Sequence, residues 1–89
     1  MGTVGPWLSS FVGDDQFVPG RVTLRRGSTF IWRFIGPSLH DVTLASGPVG
    51  FASPSVTAGR FRFRFTVPGT YRLFCSLHPA LMTQVIVVR

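Results

Sequence analysis

Apolar and polar residues alternate along much of this chain, and the alternation is clearest in the run RFRFRF at residues 60–65. Successive side chains of a β-strand point to opposite faces, so the phenylalanines of this run would share one face and the arginines the other. A period of two does not fit a helix, in which residues three and four apart share a face. The run therefore predicts a half-buried antiparallel strand with an apolar inner face and an arginine-lined outer face.

The same alternation, or a run of β-branched residues, predicts further strands elsewhere. They fall at residues 21–27, 28–36, 40–46, 70–75 and 83–89, and residues 3–13 predict one more. Gly-Pro pairs predict loops at 36–39 and 47–50, and turns are predicted at 14–19 and at Pro68-Gly69. No helix longer than a turn is predicted. Short strands at this spacing predict an all-β protein, a single-domain Greek-key β-sandwich of six to eight strands that takes in residues 1–89.

Composition and charge narrow the possible functions. The chain has 89 residues, 45% of them hydrophobic, which is enough for one core. No apolar run approaches the ~20 residues of a membrane span, and the N-terminus lacks the basic start and apolar stretch of a signal peptide. The nine positive charges are all arginine, and the net charge of +6 favours acidic partners or anionic surfaces. Because no nucleic-acid-binding motif accompanies this charge, nucleic acid is not an expected partner.

The arginine side of residues 60–65 has two interpretations. It is either a solvated strand face whose charges block edge-to-edge pairing, or a docking surface for an acidic partner. The first interpretation requires no special function, because every solvent-facing strand carries polar residues at a period of two.

Three side chains that can bind metals lie close together near the C-terminus, in the sequence CSLHPALM. Cys75 is the only cysteine, His78 is one of two histidines, and Met82 is the only internal methionine. Thiolate, imidazole and thioether together suit copper that alternates between Cu(I) and Cu(II). The second imidazole is His40, which a sandwich can bring to the same pole as Cys75. Taken singly, each residue has an ordinary alternative, such as core packing for the cysteine or methionine.

The order of these motifs resembles the cupredoxins, the small blue copper proteins of the plastocyanin, pseudoazurin and amicyanin group. The resemblance covers residues 18–89 and rests on FVPGRVTLRRGSTFIWRF, LHDVTL, the SP…G connection, FTVPGTYRLFC, and CSLHPALM leading into VIVV. Its most specific part is the order G-T-Y-x-hydrophobic-hydrophobic-C-x-x-H-P.

This resemblance implies one mononuclear type 1 copper site, with His40, Cys75 and His78 as equatorial ligands and Met82 as the axial ligand. The loop before the methionine varies in length among cupredoxins, and an alternative alignment places Leu81 at that position. Leu81 cannot bind copper, so the metal would then be three-coordinate. Zinc can also occupy Cys and His ligands in an overexpressed sample.

Asp41 follows the first histidine, at a position where several cupredoxins have Asn. A hydrogen bond between Asp41 and Ser76 would fasten the two ligand-bearing loops together. The alternative is an exposed Asp41 that is bonded only within its own turn.

By resemblance, the expected function is the transfer of single electrons between redox partners, without catalysis. Acidic partner proteins would dock on an apolar patch around the second histidine: His78, Pro79, Ala80 and Leu81, with Pro37 and Leu39 facing them. The protein would be monomeric and extracytoplasmic, either periplasmic or secreted.

One copper uses both histidines, which leaves none for the second copper centre of a multicopper oxidase or nitrite reductase. Two alternatives stay open: a copper carrier or metallochaperone, and a metal-free cupredoxin-like module that docks acidic partners.

Overall fold

The computed structural model describes residues 8–13, 16–79 and 82–89, and these residues form eight β-strands and no helix. The strands are β1 (Ser9–Gly13), β2 (Gln16–Val18), β3 (Arg21–Leu24), β4 (Ser28–His40), β5 (Thr43–Ser46), β6 (Val56–Phe65), β7 (Gly69–Phe74) and β8 (Thr83–Val88). Within this part of the chain no helix is long and apolar enough to cross a lipid bilayer. The predicted all-β class is confirmed.

The strands form two four-stranded sheets, ordered β2-β1-β4-β6 and β3-β8-β7-β5. β1 runs parallel to β4 and β3 runs parallel to β8, whereas the other neighbours are antiparallel. The buried core draws on both sheets, with Phe30 and Trp32 from β4 facing Tyr71 and Ile86 from β7 and β8. The predicted β-sandwich is therefore confirmed, with eight strands in the described residues.

The strand predicted from the RFRFRF run is β6, which lies at an edge of its sheet and pairs with β4. Phe65 is fully buried and the two preceding phenylalanines are half-buried, while the alternating arginines are exposed. The period-two pattern therefore predicted both the strand and its orientation correctly.

An aromatic cluster fills the space between the sheets. The ring centroid of Trp32 lies 5.0 Å from that of Phe30 in an edge-to-face contact, and 5.6 Å from that of Phe61. Phe65 makes an edge contact with Tyr71 of the opposite sheet at 4.8 Å. Such pairs contribute roughly 0.5–1.5 kcal/mol each beyond the burial of their area. Burial raises the pKa of Tyr71.

β4 is longer than the sequence pattern predicts. Residues 36–39, which the sequence predicts as a loop, continue the strand to His40, and the register against β6 shifts between Ile35 and His40. Gly36 has a φ of +47°, and a Cβ at this position would lie 2.9 Å from the carbonyl oxygen of Thr57. The Gly-Pro pair therefore marks an irregularity within a continuing strand, and this irregularity requires glycine.

Other boundaries also differ from the prediction. β3 ends at Leu24 rather than at residue 27, and β6 begins at Val56 rather than at residue 60. β5 starts at Thr43 rather than at residue 40, because β4 continues to that residue. Gln16–Val18 forms β2, antiparallel to β1, where the sequence predicts a turn. Residues 1–7 and Asp14–Asp15, which belong to the predicted N-terminal strand and turn, lie outside the described residues.

A buried glutamine connects the two sheets through side-chain hydrogen bonds. Trp32 of β4 donates its indole Nε1–H to Gln84 Oε1 of β8 at 2.8 Å. Gln84 in turn donates from Nε2 to the carbonyl oxygen of Pro19 at 2.9 Å. Gln84 is 1% exposed, so its amide has no solvent to replace these partners. The pair of bonds fixes β8 against β4 and against the connection between β2 and β3.

Replacing Gln84 with Ala should lower the free energy of unfolding of the metal-free protein by roughly 2–4 kcal/mol. The Trp32 N–H would stay buried without its acceptor, and a cavity would replace the amide. The matched control is Gln16→Ala at an exposed position, which should change the free energy by less than about 0.5 kcal/mol. Denaturant unfolding followed by tryptophan fluorescence measures both variants. Equal losses would contradict the bridging role of Gln84.

Candidate metal centre

Two strand ends, one from each sheet, bring the three predicted equatorial ligands together. His40 is the last residue of β4, and Cys75 directly follows β7. His78 lies in the turn after Cys75, where its N–H donates to the Cys75 carbonyl at 3.0 Å. The ligand cluster therefore lies at one end of the sandwich, which we call the metal pole and define as residues 37–43 and 75–79.

The loop that follows Cys75 is closed by main-chain hydrogen bonds. The Met82 N–H donates to the His78 carbonyl at 3.0 Å, and the Cys75 N–H donates to the Met82 carbonyl at 3.1 Å. These bonds hold the loop between β7 and β8 in a closed turn. Main-chain hydrogen bonds, in addition to side-chain packing, therefore hold the cysteine and the second histidine in position.

The sulfur of Cys75 is the centre of the cluster. It lies 3.8 Å from Nδ1 of His40 and 3.7 Å from Nδ1 of His78. The ligand atoms of the three residues all lie within 4.8 Å of one another. His40 and Cys75 are fully buried, whereas His78 is half-buried.

These distances fit a bound metal ion. An ion at zinc-like distances, about 2.0 Å from an imidazole nitrogen and 2.3 Å from a thiolate sulfur, would separate those atoms by about 3.7 Å at a 120° angle. The two measured N···S distances, 3.7 and 3.8 Å, agree with this separation. In addition, Nε2 of His40 is buried and has no hydrogen-bond partner among the described residues. Hydrogen bonds to Nε2 therefore do not explain why His40 is buried.

Asp41 joins the two ligand-bearing segments, as the sequence predicts. Its Oδ1 accepts the Ser76 N–H at 2.8 Å and the Thr43 hydroxyl at 3.0 Å. Its Oδ2 accepts the Ser76 hydroxyl in a short hydrogen bond, and the Ser55 hydroxyl at 3.3 Å. Asp41 is only 4% exposed, so the alternative of an exposed side chain bonded only within its turn is wrong.

These hydrogen bonds determine the ionisation of the carboxyl group. Burial alone would raise the pKa of Asp41, but the hydrogen bonds from Ser76, and then those from Thr43 and Ser55, outweigh burial and hold the pKa below its usual value. The main-chain N–H of the same residue donates to the Cys75 sulfur at 3.4 Å. Asp41 therefore holds the segment that follows Cys75 with its side chain and contacts the sulfur of Cys75, a candidate ligand, with its main chain.

The other residues predicted for the site are the axial ligand and the apolar patch beside the second histidine. The side chain of Met82 is fully buried, and its main chain is bonded to both Cys75 and His78. Its role as an axial ligand stays a prediction. Pro79 is exposed next to the second histidine, whereas Ala80 and Leu81 lie outside the described residues.

Sequence reasoning missed two features of the metal pole. Leu77, between Cys75 and His78, is 48% exposed and adds to an apolar surface that includes Leu39 at 51%. The sequence does contain a signal for this exposure, because a leucine in a tight turn between two candidate ligands is too far from the core to be buried in it. Ser55 was missed as a partner of Asp41, and its separation of 14 residues gives no local signal.

The eight-strand sandwich with a His-Cys-His cluster at one pole has the cupredoxin fold. An oxidised variant of amicyanin superimposes with a TM-score of 0.84 at 20% identity, over 96% of this chain and 84% of that chain. A reduced amicyanin variant gives 0.82 at 21% identity, over 91% of this chain and 80% of that chain. No protein-family model and no curated protein sequence matches the chain.

A larger copper protein also contains this fold. The copper-containing nitrite reductase from Thermus scotoductus SA-01 superimposes with a TM-score of 0.78 at 26% identity, over 92% of this chain. This chain spans only 22% of the length of the nitrite reductase chain. The resemblance to cupredoxins is thus confirmed at the level of the fold.

The contact between Asp41 and Ser76 can be tested by a double-mutant cycle in the metal-free protein. Asp41→Asn and Ser76→Ala should each lower the free energy of unfolding by roughly 1–3 kcal/mol, since each leaves a polar group without its partner. The double variant should lose less than the sum, with a coupling of at least about 1 kcal/mol. Ser38→Ala, at an exposed position in the same pole, is the control for hydroxyl removal. Strictly additive losses would show that the clamp does not stabilise the pole.

Proposed function

We propose that this protein is a type 1 copper protein that carries single electrons between redox partners. His40, Cys75 and His78 would be the equatorial ligands, and Met82 the axial ligand. The observation that carries the proposal is the position of two imidazole nitrogens at 3.7 and 3.8 Å from one buried cysteine sulfur. Copper bound there would supply a one-electron couple between Cu(II) and Cu(I).

The residues around the site are suited to hold the ligands in one arrangement. His40 ends a strand, Cys75 follows another, and Asp41 links the two segments through its bonds to Ser76. Ligands that are held in place rearrange little when the charge at the site changes, and a small rearrangement favours fast electron transfer. Burial of the thiol also excludes water and limits access by oxidants.

The electron would leave through the half-buried ring of His78. Three exposed apolar residues lie in the same pole: Leu39, Leu77 and Pro79. A small apolar surface suits weak and brief encounters with a partner protein. The net charge of +6 favours acidic partners, whose approach it would steer. The patch predicted from the sequence also includes Ala80 and Leu81.

The protein would be a monomeric carrier with one mononuclear site and no catalytic activity of its own. The nitrite reductase has additional chain beyond the part that this protein matches, so its activity is not carried over. An extracytoplasmic location, periplasmic or secreted, is part of the proposal because the resemblance to cupredoxins implies it. Copper delivery is less well supported, since a buried thiol in a closed loop is poorly placed for ready transfer to an acceptor.

Titration of the metal-free protein with Cu(II), followed by visible absorption, tests the proposal. One equivalent should produce an intense blue or green thiolate-to-copper band that bleaches on reduction and returns on reoxidation. Cys75→Ala should lack the band, because the thiolate is its source. The sample must first be stripped of zinc, which binds the same residues without colour.

If no band forms while Cys75 is shown to be reduced, the electron-transfer function is contradicted, and a metal-free docking module becomes the better account. If the band forms but Cu(I) passes readily to a chelator, a copper carrier is favoured instead. A band that survives in the Cys75→Ala variant, which has no thiol, would mean that the band does not come from a copper–thiolate bond.

Met82→Leu tests the axial ligand separately. The side chain keeps nearly the same volume but loses its sulfur, so the fold and the copper band should remain. The reduction potential should rise by on the order of 50 mV, because Cu(II) loses a donor that Cu(I) needs less, and 1.4 kcal/mol corresponds to about 59 mV for one electron. Direct voltammetry measures the change. An unchanged potential and an unchanged Cu(II) electron paramagnetic resonance spectrum would show that Met82 is not a ligand.

A further inference from the structure

The outer surface of the β2-β1-β4-β6 sheet carries four arginines that we call the basic face: Arg33, Arg60, Arg62 and Arg64. Arg33 of β4 lies directly opposite Arg60 of β6 in the strand register. Like charges in directly opposite positions destabilise a sheet. A face that only needed to stay in water could use uncharged polar residues or mixed charges without this cost.

These charges have no acidic partner in the described part of the chain. The only acid there is Asp41, which is buried at the metal pole and bonded to Ser76, Thr43 and Ser55. The whole sequence has nine basic and three acidic residues. Among the described residues the basic face is therefore a patch of one sign, and an external anion is the natural source of neutralisation.

Exposed apolar side chains lie beside the arginines on the same face. Phe11 is 52% exposed and sits between Val18 of β2, which is 46% exposed, and Arg33 of β4 in the strand register. Ile35, two residues beyond Arg33 and so on the same side of β4, is 57% exposed. The basic face therefore combines positive charge with exposed apolar surface.

We propose that this face binds the surface of an anionic phospholipid bilayer. Guanidinium groups match phosphate through paired hydrogen bonds, and every basic residue of the chain is arginine. A surface that combines arginines with exposed Phe and Ile side chains fits the boundary between headgroups and acyl chains. A second copy of the chain is a poor occupant, because two such faces would repel one another.

The basic face and the metal pole point in different directions. Val56 of β6 pairs with His40 at the pole, and Arg60 and Arg64 follow it by four and eight residues along the strand. At about 3.3 Å per residue they lie roughly 13 and 26 Å along the strand from that level. A bilayer on the side of the sandwich would leave His78 uncovered, so membrane binding is compatible with the proposed function and does not depend on copper.

Vesicle flotation of the full chain tests the proposal at physiological ionic strength. Vesicles with roughly one-third phosphatidylglycerol in phosphatidylcholine should carry the protein, and pure phosphatidylcholine should not. Arg60→Gln/Arg62→Gln should weaken binding about 25-fold, at about fivefold for each arginine near an anionic surface. The matched control is Arg21→Gln/Arg72→Gln, which removes the same charge from exposed positions of the other sheet and should cost less than about threefold. Phe11→Ser should also weaken binding, because its exposed ring would contact the boundary between headgroups and acyl chains.

Failure of the unchanged protein to float with the anionic vesicles would overturn the proposal. Equal losses in the two arginine pairs would overturn it as well, since binding would then reflect net charge alone. Tighter binding of polyglutamate or duplex DNA through Arg60 and Arg62 would assign the face to an acidic protein or to nucleic acid instead. None of these outcomes bears on the copper titration, so the two proposals fail separately.

Discussion

The buried carboxylate of Asp41 is the interaction on which the metal pole depends. It lies between two segments that belong to different sheets, one ending at His40 and the other beginning at Cys75. The two oxygens accept hydrogen bonds from both the N–H and the hydroxyl of Ser76, so the relative position of these segments is fixed at two points. Removal of this group would break all of these hydrogen bonds at once, and the two segments would lose their side-chain link.

The positions of the side chains at the pole depend on the sandwich beneath them. The edge contact of Phe65 with Tyr71 and the hydrogen bond from Trp32 to Gln84 each connect one sheet to the other. They set the separation of the sheets, and this separation sets the distance between the ends of β4 and β7. The geometry of three side chains at one end is therefore a consequence of packing along the whole core.

Local pattern was enough to predict much of this fold. The strand at residues 60–65 follows from alternation alone, because one face is buried and the other is not. Cys75 and His78 are close in sequence, so their proximity needed only a turn. The place of His40 depended on a resemblance to known proteins, since no local rule brings together residues 35 apart.

Features that depend on partners elsewhere in the chain could not be predicted in this way. Gly36-Pro37 has the sequence of a turn, yet the strand continues because β6 still offers a partner at Val56. The hydrogen bond from Ser55 to Asp41 depends on how the connection before β6 returns to the pole. In both cases the residue that determines the local structure is distant in sequence, and the secondary-structure propensity of the local residues carries no information about it.

The distribution of charge separates two kinds of surface on one small molecule. None of the nine arginines falls within residues 37–43 or 75–82, the segments that carry the candidate ligands. A partner protein that docks at the pole therefore meets Leu39 and Leu77 at short range, while the arginines act on it only from a distance. The arginines would thus provide long-range attraction, whereas the exposed leucines of the pole would provide short-range contact. Either one can change without the other, and the arginines of β6 remain available to a second anionic surface.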